Sequence, residues 1–292
     1  MPDPFFIVDV FAEGKYRGNQ LAVVNVREPL SSAQMQAIAS EFHFSETTFI
    51  VSEKPRNGGY DVRIFTPKSE VPFAGHPTLG TAWVIRNEIA RSAAGEVLLN
   101  LRVGQIPVAF SKSKSGLAWM RQNPPVFGKK IAPSVVAGAL GLPAASVDGR
   151  FPVEEVSTGL PFVIAPLKTL KAVQNAMVDQ KRFAALVKDL DAKSVLVFCR
   201  ETVDRLCDLH VRVFAGYYGV PEDPATGSGN GCLAGYLSKH RYSGGPELNT
   251  MVEQGIEIGR PSRLYLKANE TKAGITVQVG GKVVLAARGE LA

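Results

Sequence analysis

VRIFTPKSEVPFAGHPTLGTAW, residues 62–83, and VRVFAGYYGVPEDPATGSGNGCLAG, residues 211–235, are two versions of one pattern. The strings VRIF and VRVF begin 149 residues apart, at Val62 and Val211, and Val-Pro follows each at the same distance, at 71–72 and 220–221. With a three-residue insertion the match continues from AGHPTLGTAW at 74–83 into TGSGNGCLAG at 226–235, pairing Gly75 with Gly227 and Ala82 with Ala234. In both copies a strand-rich segment gives way to a helix at a glycine beside small polar residues. A repeated unit of this size implies two similar halves.

Outward from the repeat, alternating or β-branched runs bounded by Gly, Asn, Pro or charge predict strands at FFIVDVF, QLAVVNV, TTFIVSE, YDVRIFTP, EVLLNLRVG, IPVAFSK and GLAWMRQN. The second half adds FVIAPL, SVLVFCR, LHVRVFAG, RLYLKAN, ITVQVGG and KVVLAAR. Helices are few. Ser31 with Gln34 forms a capping box ahead of Met35, Ile38 and Phe42, and QKRFAALVKDL carries Phe183, Leu186, Val187 and Leu190 on one face. Without a βαβαβ rhythm a doubly wound parallel sheet is disfavoured. The Pro124-Pro125 and Gly128-Lys129-Lys130 region is the expected crossing point between the halves.

The chain's 292 residues suffice for one large or two ordinary domains, and 45% hydrophobic with 21% charged residues is ordinary for a globular protein. Its 33 Lys and Arg against 27 Asp and Glu give a formal charge of +6, scattered rather than run together. That favours anionic small molecules over a nucleic-acid groove, and the densest basic stretch, around Lys112, Lys114, Lys129 and Lys130, reads as a solvated loop face. Cys199, Cys207 and Cys232 lack CxxC spacing and a His partner at ligand spacing, so neither a zinc site nor a disulfide framework is expected. The amino terminus has no positive n-region and no apolar run nears membrane-spanning length, which predicts no membrane association and a cytoplasmic location.

Candidate chemistry gathers at the two helix starts. Gly75-His76-Pro77-Thr78 opens one helix, and Asp223-Pro224-Ala225-Thr226-Gly227-Ser228 leads into the other. Backbone N–H groups at such starts bind anions, and facing starts would suit a small carboxylate-bearing substrate; ordinary capped helices have the same local sequence. Glu46, in FHFSETTFIV, stands at the entrance to an apolar strand just after Phe42, His43 and Phe44. Partial desolvation there would move its carboxyl toward the range a proton-shuttling acid/base needs. His76 is placed to orient or protonate a substrate group or merely to cap its helix, whereas His43, His210 and His240 read as structural.

VDVFAEGKYRGNQLAVV, MQAIASEFHFSETTFI, RIFTPKSEVPFAGHPTLGTA, EDPATGSGN and GIEIGRPSRLYL occur in this order, and the chain thereby resembles PhzF-type phenazine-biosynthesis isomerases of the diaminopimelate epimerase superfamily. The resemblance implies an α+β, diaminopimelate epimerase-like fold. It would comprise two pseudo-symmetric, mostly antiparallel β-barrel-like domains, each around a central helix, with the site between them and a homodimer as the usual assembly. The expected domains are 1–118 with 283–292, the last strand returning to the first domain, and 119–282. Carried over by position, the catalytic roles fall on Glu46, Asp223 and His76, and substrate binding on Asn19, Gly75, Gly227 and Ser228. The chain departs from the family's pattern in reading Gly18-Asn19-Gln20 where GNP is usual and Ala74 where many members have Cys. Superfamily racemases use a thiol before each glycine. Here Ala74 and Thr226 stand in those places, and neither can be a thiolate base.

The implied activity is proton relocation on a small carboxylate-bearing substrate, of the dihydro-hydroxyanthranilate isomerase type. No metal or organic cofactor is expected, since there is no ligand cluster and GSGNG at 227–231 lacks the context of a dinucleotide fingerprint. Two alternatives remain: an epimerase or racemase with Glu46 and Asp223 as opposed bases, and a non-catalytic binder of small aromatic acids.

Overall fold

In the computed structural model, which describes residues 2–52, 54–112, 116–218 and 220–292, the chain divides into two compact units. One comprises residues 1–120 with 280–292 and the other residues 121–279.

The first unit begins with β1 (Pro4–Val10) and β2 (Asn19–Asn25), crosses through α1 (Ser32–Phe42) to β3 (Thr47–Ile50), and continues with β4 (Tyr60–Phe65) and β5 (Glu70–Val71). The central helix α2 (Gly75–Val84) then ends in a π-turn at Ile85–Ile89, and β6 (Glu96–Leu101), β7 (Gly104–Phe110) and β8 (Ala118–Arg121) follow. The capping box predicted for α1 is present: the Ser31 Oγ accepts from the Gln34 N–H, and Gln34 Oε1 accepts from the Ser31 N–H at 2.8 Å. His43 ends the helix in a left-handed conformation at φ 56°.

The second unit holds β9 (Val126–Ile131), α3 (Pro133–Ala139), β10 (Val153–Ser157), β11 (Pro161–Pro166), α4 (Leu170–Gln174), α5 (Gln180–Lys188), β12 (Val195–Cys199), β13 (Leu209–Ala215) and β14 (Val220–Asp223). Its central helix α6 (Gly227–Lys239) precedes β15 (Leu248–Gln254), β16 (Ser262–Thr271) and β17 (Gly274–Gly281). The final strand, β18 (Val283–Glu290), pairs antiparallel with β1.

The two units repeat one order of strand pairings. In the first, β18–β1 and β1–β2 are antiparallel, β2–β3 parallel, β3–β4 antiparallel, β4–β6 parallel and β6–β7 antiparallel. In the second, the same sequence of orientations runs through β9, β10, β11, β12, β13, β15 and β16. Helix α2 packs against β1, β2, β3, β6, β7 and β18, and α6 against β10, β11, β15 and β16, so each sheet curls about a helix. That enclosure explains the small residues of both helices. A Cβ at Gly80 would lie 2.6 Å from the Leu21 side chain, and one at Gly235 would lie 2.7 Å from Pro125.

The pairings also correct the repeat's alignment. Ile64 faces Val71, whereas the equivalent Val213 faces Asp223. The three extra residues therefore fall between Val213 and Asp223, where the pairing of β13 with β14 shifts register, Val71 corresponds to Asp223, and the two Val-Pro strings are not equivalent. The basic region is corrected too: Lys129 and Lys130 are exposed but belong to β9, paired with β10, rather than to a loop. Lys112 is exposed, and Lys114 lies outside the described residues.

Candidate active site

In the first unit, α1 stops at His43 and the chain turns through Phe44 and Ser45, delivering Glu46 immediately ahead of β3. The Phe42 ring meets Phe5 edge-on and stacks on Phe44. Only a fifth of the Glu46 side chain is exposed, and its Oε2 lies 3.5 Å from Nε2 of His76, the second residue of α2. Sequence distance hides this encounter.

His76 is buried, and burial pushes its pKa down to about 3 against a smaller upward effect from a hydrogen bond with the Gln20 backbone. The ring is thus neutral near pH 7, with a single N–H. Because the Gln20 contact favours the protonated ring, the ring donates there. Nε2 has no hydrogen-bond partner among the described residues, so the nitrogen bonded at Gln20 is Nδ1. Nε2 consequently presents a lone pair to the Glu46 carboxyl, and the two atoms attract only through a proton between them or a substrate hydrogen. Gln20, where the sequence departs from GNP, and the neighbouring Asn19 begin β2 after Gly18. Gly18 has φ +68°, and a Cβ there would come 2.3 Å from the Val10 carbonyl oxygen, so the turn that buries Asn19 requires glycine.

The helix starts expected to bind an anion are alike in one respect: neither N-cap side chain bonds its own helix. Ala74 caps α2 in extended conformation, and Gly75 is that helix's first residue, buried. Thr226 caps α6, with Gly227 buried and Ser228 half-buried in the first turn. The Thr226 hydroxyl donates to Asp223 Oδ2 at 2.5 Å. Gln254, at the end of β15, was not identified from sequence. Its side chain is fully buried, and its amide hydrogen-bonds Thr226, Asn230 and the Asp223 carbonyl. Thr47, beside Glu46, was likewise missed; it is fully buried with Oγ1 unpartnered among the described residues.

The thiols are unsuited to proton abstraction. Burial raises Cys232 to about 11, Cys199 to about 12 and Cys207 to about 11, and none of them begins a central helix. Among the described residues no group of three or more His, Cys, Asp or Glu could hold a metal ion, and no helix is long and apolar enough to cross a membrane.

Residues 8–289 match the family model for phenazine biosynthesis-like proteins, PhzC-PhzF. The chain belongs to this family. A trans-2,3-dihydro-3-hydroxyanthranilate isomerase of Pseudomonas fluorescens is 34% identical over 293 residues, covering 98% of both chains. The crystal structure of a Bacillus anthracis phenazine biosynthesis protein of the PhzF family superposes with a TM-score of 0.92 at 27% identity, covering 100% of this chain and 99% of that one. A probable proline racemase from Agrobacterium radiobacter, 11% identical with a TM-score of 0.57 over 99% and 93% of the two chains, shares the fold. The PhzC-PhzF chain is thus α+β with the diaminopimelate epimerase-like architecture expected from its sequence, and the enzyme class expected of it, isomerase, is that of its named relative.

Proposed function

We propose that this chain relocates a proton within a small carboxylate-bearing substrate of the trans-2,3-dihydro-3-hydroxyanthranilate type, without a cofactor. The observation that carries the reading is the 3.5 Å approach of Glu46 Oε2 to Nε2 of the buried His76. A carboxylate takes the proton from one carbon, leaving the electron pair delocalised over the substrate's conjugated system, and its acid form returns a proton to another carbon. Nε2 of His76 accepts a hydrogen bond from that acid or from a substrate hydroxyl. In this proposal Asp223 holds a polar group of the substrate, while the backbone N–H groups at Gly75 and Gly227, with Ser228 and Asn19, bind its carboxylate and fix its orientation. A homodimer in the cytoplasm belongs to the same proposal and is tested by sedimentation and cell fractionation.

The substrate named for the Pseudomonas relative supplies the test. Purified chain, before and after exhaustive chelation, is incubated with trans-2,3-dihydro-3-hydroxyanthranilate and followed by NMR. Equal consumption in both samples, with migration of the double bonds, is the expected result. Folded protein that leaves the compound untouched contradicts the substrate class, and activity lost on chelation and restored by a metal contradicts independence from cofactors. Tight binding without proton movement would identify a binding protein instead.

A further inference from the structure

We infer that Gln254 is a positioning residue that fixes the Asp223 carboxylate by way of Thr226. The inference rests on the reading of Asp223 as part of the active site. Gln254 Nε2 donates to the Asp223 carbonyl oxygen at 2.7 Å and to Thr226 Oγ1 at 3.0 Å. Its Oε1 accepts from the Thr226 backbone N–H at 3.2 Å and from Asn230 Nδ2 at 2.8 Å. Four hydrogen bonds from one fully buried amide thus hold both ends of the turn between β14 and α6. They also orient a proton: since Thr226 Oγ1 accepts from Gln254, its single hydrogen is directed to Asp223 Oδ2, 2.5 Å away.

The first unit provides an internal control for what the fold itself requires. Asp61 faces Asn100 where His210 faces Glu253, so the residue equivalent to Gln254 is Leu101. In the same frame Thr226 corresponds to Ala74, and Asp223 to Val71. Only the helix-side bond has a counterpart: Thr78 Oγ1 donates to the Ala74 carbonyl at 2.7 Å as Asn230 Nδ2 donates to the Thr226 carbonyl at 3.0 Å. One strand-to-helix turn is therefore built with a leucine at this position. A buried glutamine whose hydrogen bonds hold the Asp223 carbonyl and both the backbone and the hydroxyl of Thr226 serves something other than the turn. It is absent from the expected site because β15, LNTMVEQ, lacks a hydrophobic alternation to mark it.

A double-mutant cycle on the intact chain tests the inference. Turnover of trans-2,3-dihydro-3-hydroxyanthranilate is measured for Gln254→Leu, Asp223→Asn and the double variant, each shown to unfold cooperatively. Gln254→Leu is expected to lower kcat at least about tenfold, because a displacement near an ångström suffices for losses of this size or more. It should add little to Asp223→Asn, since its effect runs through that carboxylate. Independent, multiplying losses, or wild-type kcat in folded Gln254→Leu, overturn the inference. Wild-type turnover in Asp223→Asn instead overturns the reading of Asp223, and the inference with it. A second readout needs no substrate. In protein labelled with 13C at aspartate carboxyls, the resonance missing from Asp223→Asn reports Asp223. Gln254→Glu should raise its titration midpoint by about one pH unit, as the new carboxyl draws away the Thr226 hydrogen. An unchanged midpoint contradicts the positioning role even if the substrate class is wrong.

Discussion

Where the first unit has Glu46 ahead of β3, the second has Ser194 ahead of β12; where the second has Asp223, Thr226 and Gln254 around the start of α6, the first has Val71, Ala74 and Leu101 around the start of α2. These correspondences follow from the pairings: Thr47 faces Phe65 as Val195 faces Phe214, and Ile64 faces Val71 as Val213 faces Asp223. Both units form the same curled sheet around a small-residue helix, so neither polar set is needed to build it. What they do share is a clasp. Arg63 binds Glu70 with two hydrogen bonds at 2.9 and 2.8 Å, and Arg212 binds Glu222 with two at the same lengths. A feature kept in both halves belongs to the fold, and one present in a single half is a candidate for chemistry.

The clasps give the sharpest way to break this division. Arg212 is 9% exposed, and its Nη1 also donates to the carbonyls of Val173, Gln174 and Ala176 around the end of α4, whereas Arg63 is 27% exposed. Arg212→Met should cost about 3–5 kcal/mol, the usual loss when one partner of a buried ion pair is removed. Arg63→Met should cost about 1–2 kcal/mol, because water can reach the carboxylate it leaves. Urea unfolding of the two variants checks the order, and equal losses would show that burial does not separate the clasps.

Two buried histidines extend the comparison to pH. Burial holds His76 near pKa 3 in the folded chain against an ordinary 6.5, so the stability associated with its neutral form is complete above about pH 6.5 and is lost as pH falls toward 3. His210 is opposite. Burial works to lower its pKa, but its hydrogen bonds with Glu253, at 2.6 Å, and Glu257, at 3.0 Å, prevail and raise it to about 9. The stability it contributes is complete below about pH 6.5 and is lost as pH rises through 9. The windows correspond to something on the order of 5 kcal/mol for His76 and 3 kcal/mol for His210. Thermal melts across pH, compared with His76→Gln and His210→Gln, should show the acid-side and alkaline-side slopes flatten separately.

Smaller effects are expected at the helix starts. Gly75→Val or Gly227→Val should weaken substrate binding by about tenfold or more while the variants still fold, since a side chain would obstruct approach to charge-assisted backbone donors. Ser228→Ala should weaken it less than either glycine variant, because the backbone donors at the helix starts remain. Titration calorimetry with a substrate analogue separates the two classes, and a Ser228→Ala loss as large as that of the glycine variants would move the anion from the backbone to the hydroxyl.

Much of the scaffold is legible in the sequence because apolar, β-branched runs mark strands such as β2 and β12, alternation marks β13, and a glycine beside small polar residues marks each strand-to-helix transition, whereas the curling of each sheet around its helix is implied only by the family resemblance. Strands β10 and β15 were missed for a physical reason: their buried positions carry polar residues. Glu154 pairs with His240, Glu155 accepts from the Ala192 N–H at 2.9 Å, and Glu253 accepts from Val203 and Asp204. Strand β9 escaped notice because Val126, Lys129 and Lys130 are exposed. In the candidate site, the prominence of Glu46, His76 and Asp223 came from motif strings. What those strings do not encode is contact: the approach of Glu46 to His76 spans thirty residue positions, and Gln254 lies on a strand with no periodic signature. The displaced Val-Pro match teaches the same lesson, since only strand pairing reveals where three residues were inserted.

The central claim is that proton transfer resides with Glu46, whose counterpart in the other half is Ser194. Its most direct test is turnover of trans-2,3-dihydro-3-hydroxyanthranilate in deuterated water by wild type and by folded Glu46→Gln, with deuterium located in the product by NMR. Wild type should place solvent deuterium at the newly formed C–H bond. Glu46→Gln should bind the compound nearly normally yet turn over and incorporate deuterium at least about a hundredfold more slowly, the typical scale of a lost general acid/base. Glu46→Gln working within a few-fold of wild type, with the same deuterium content in its product, would contradict the account.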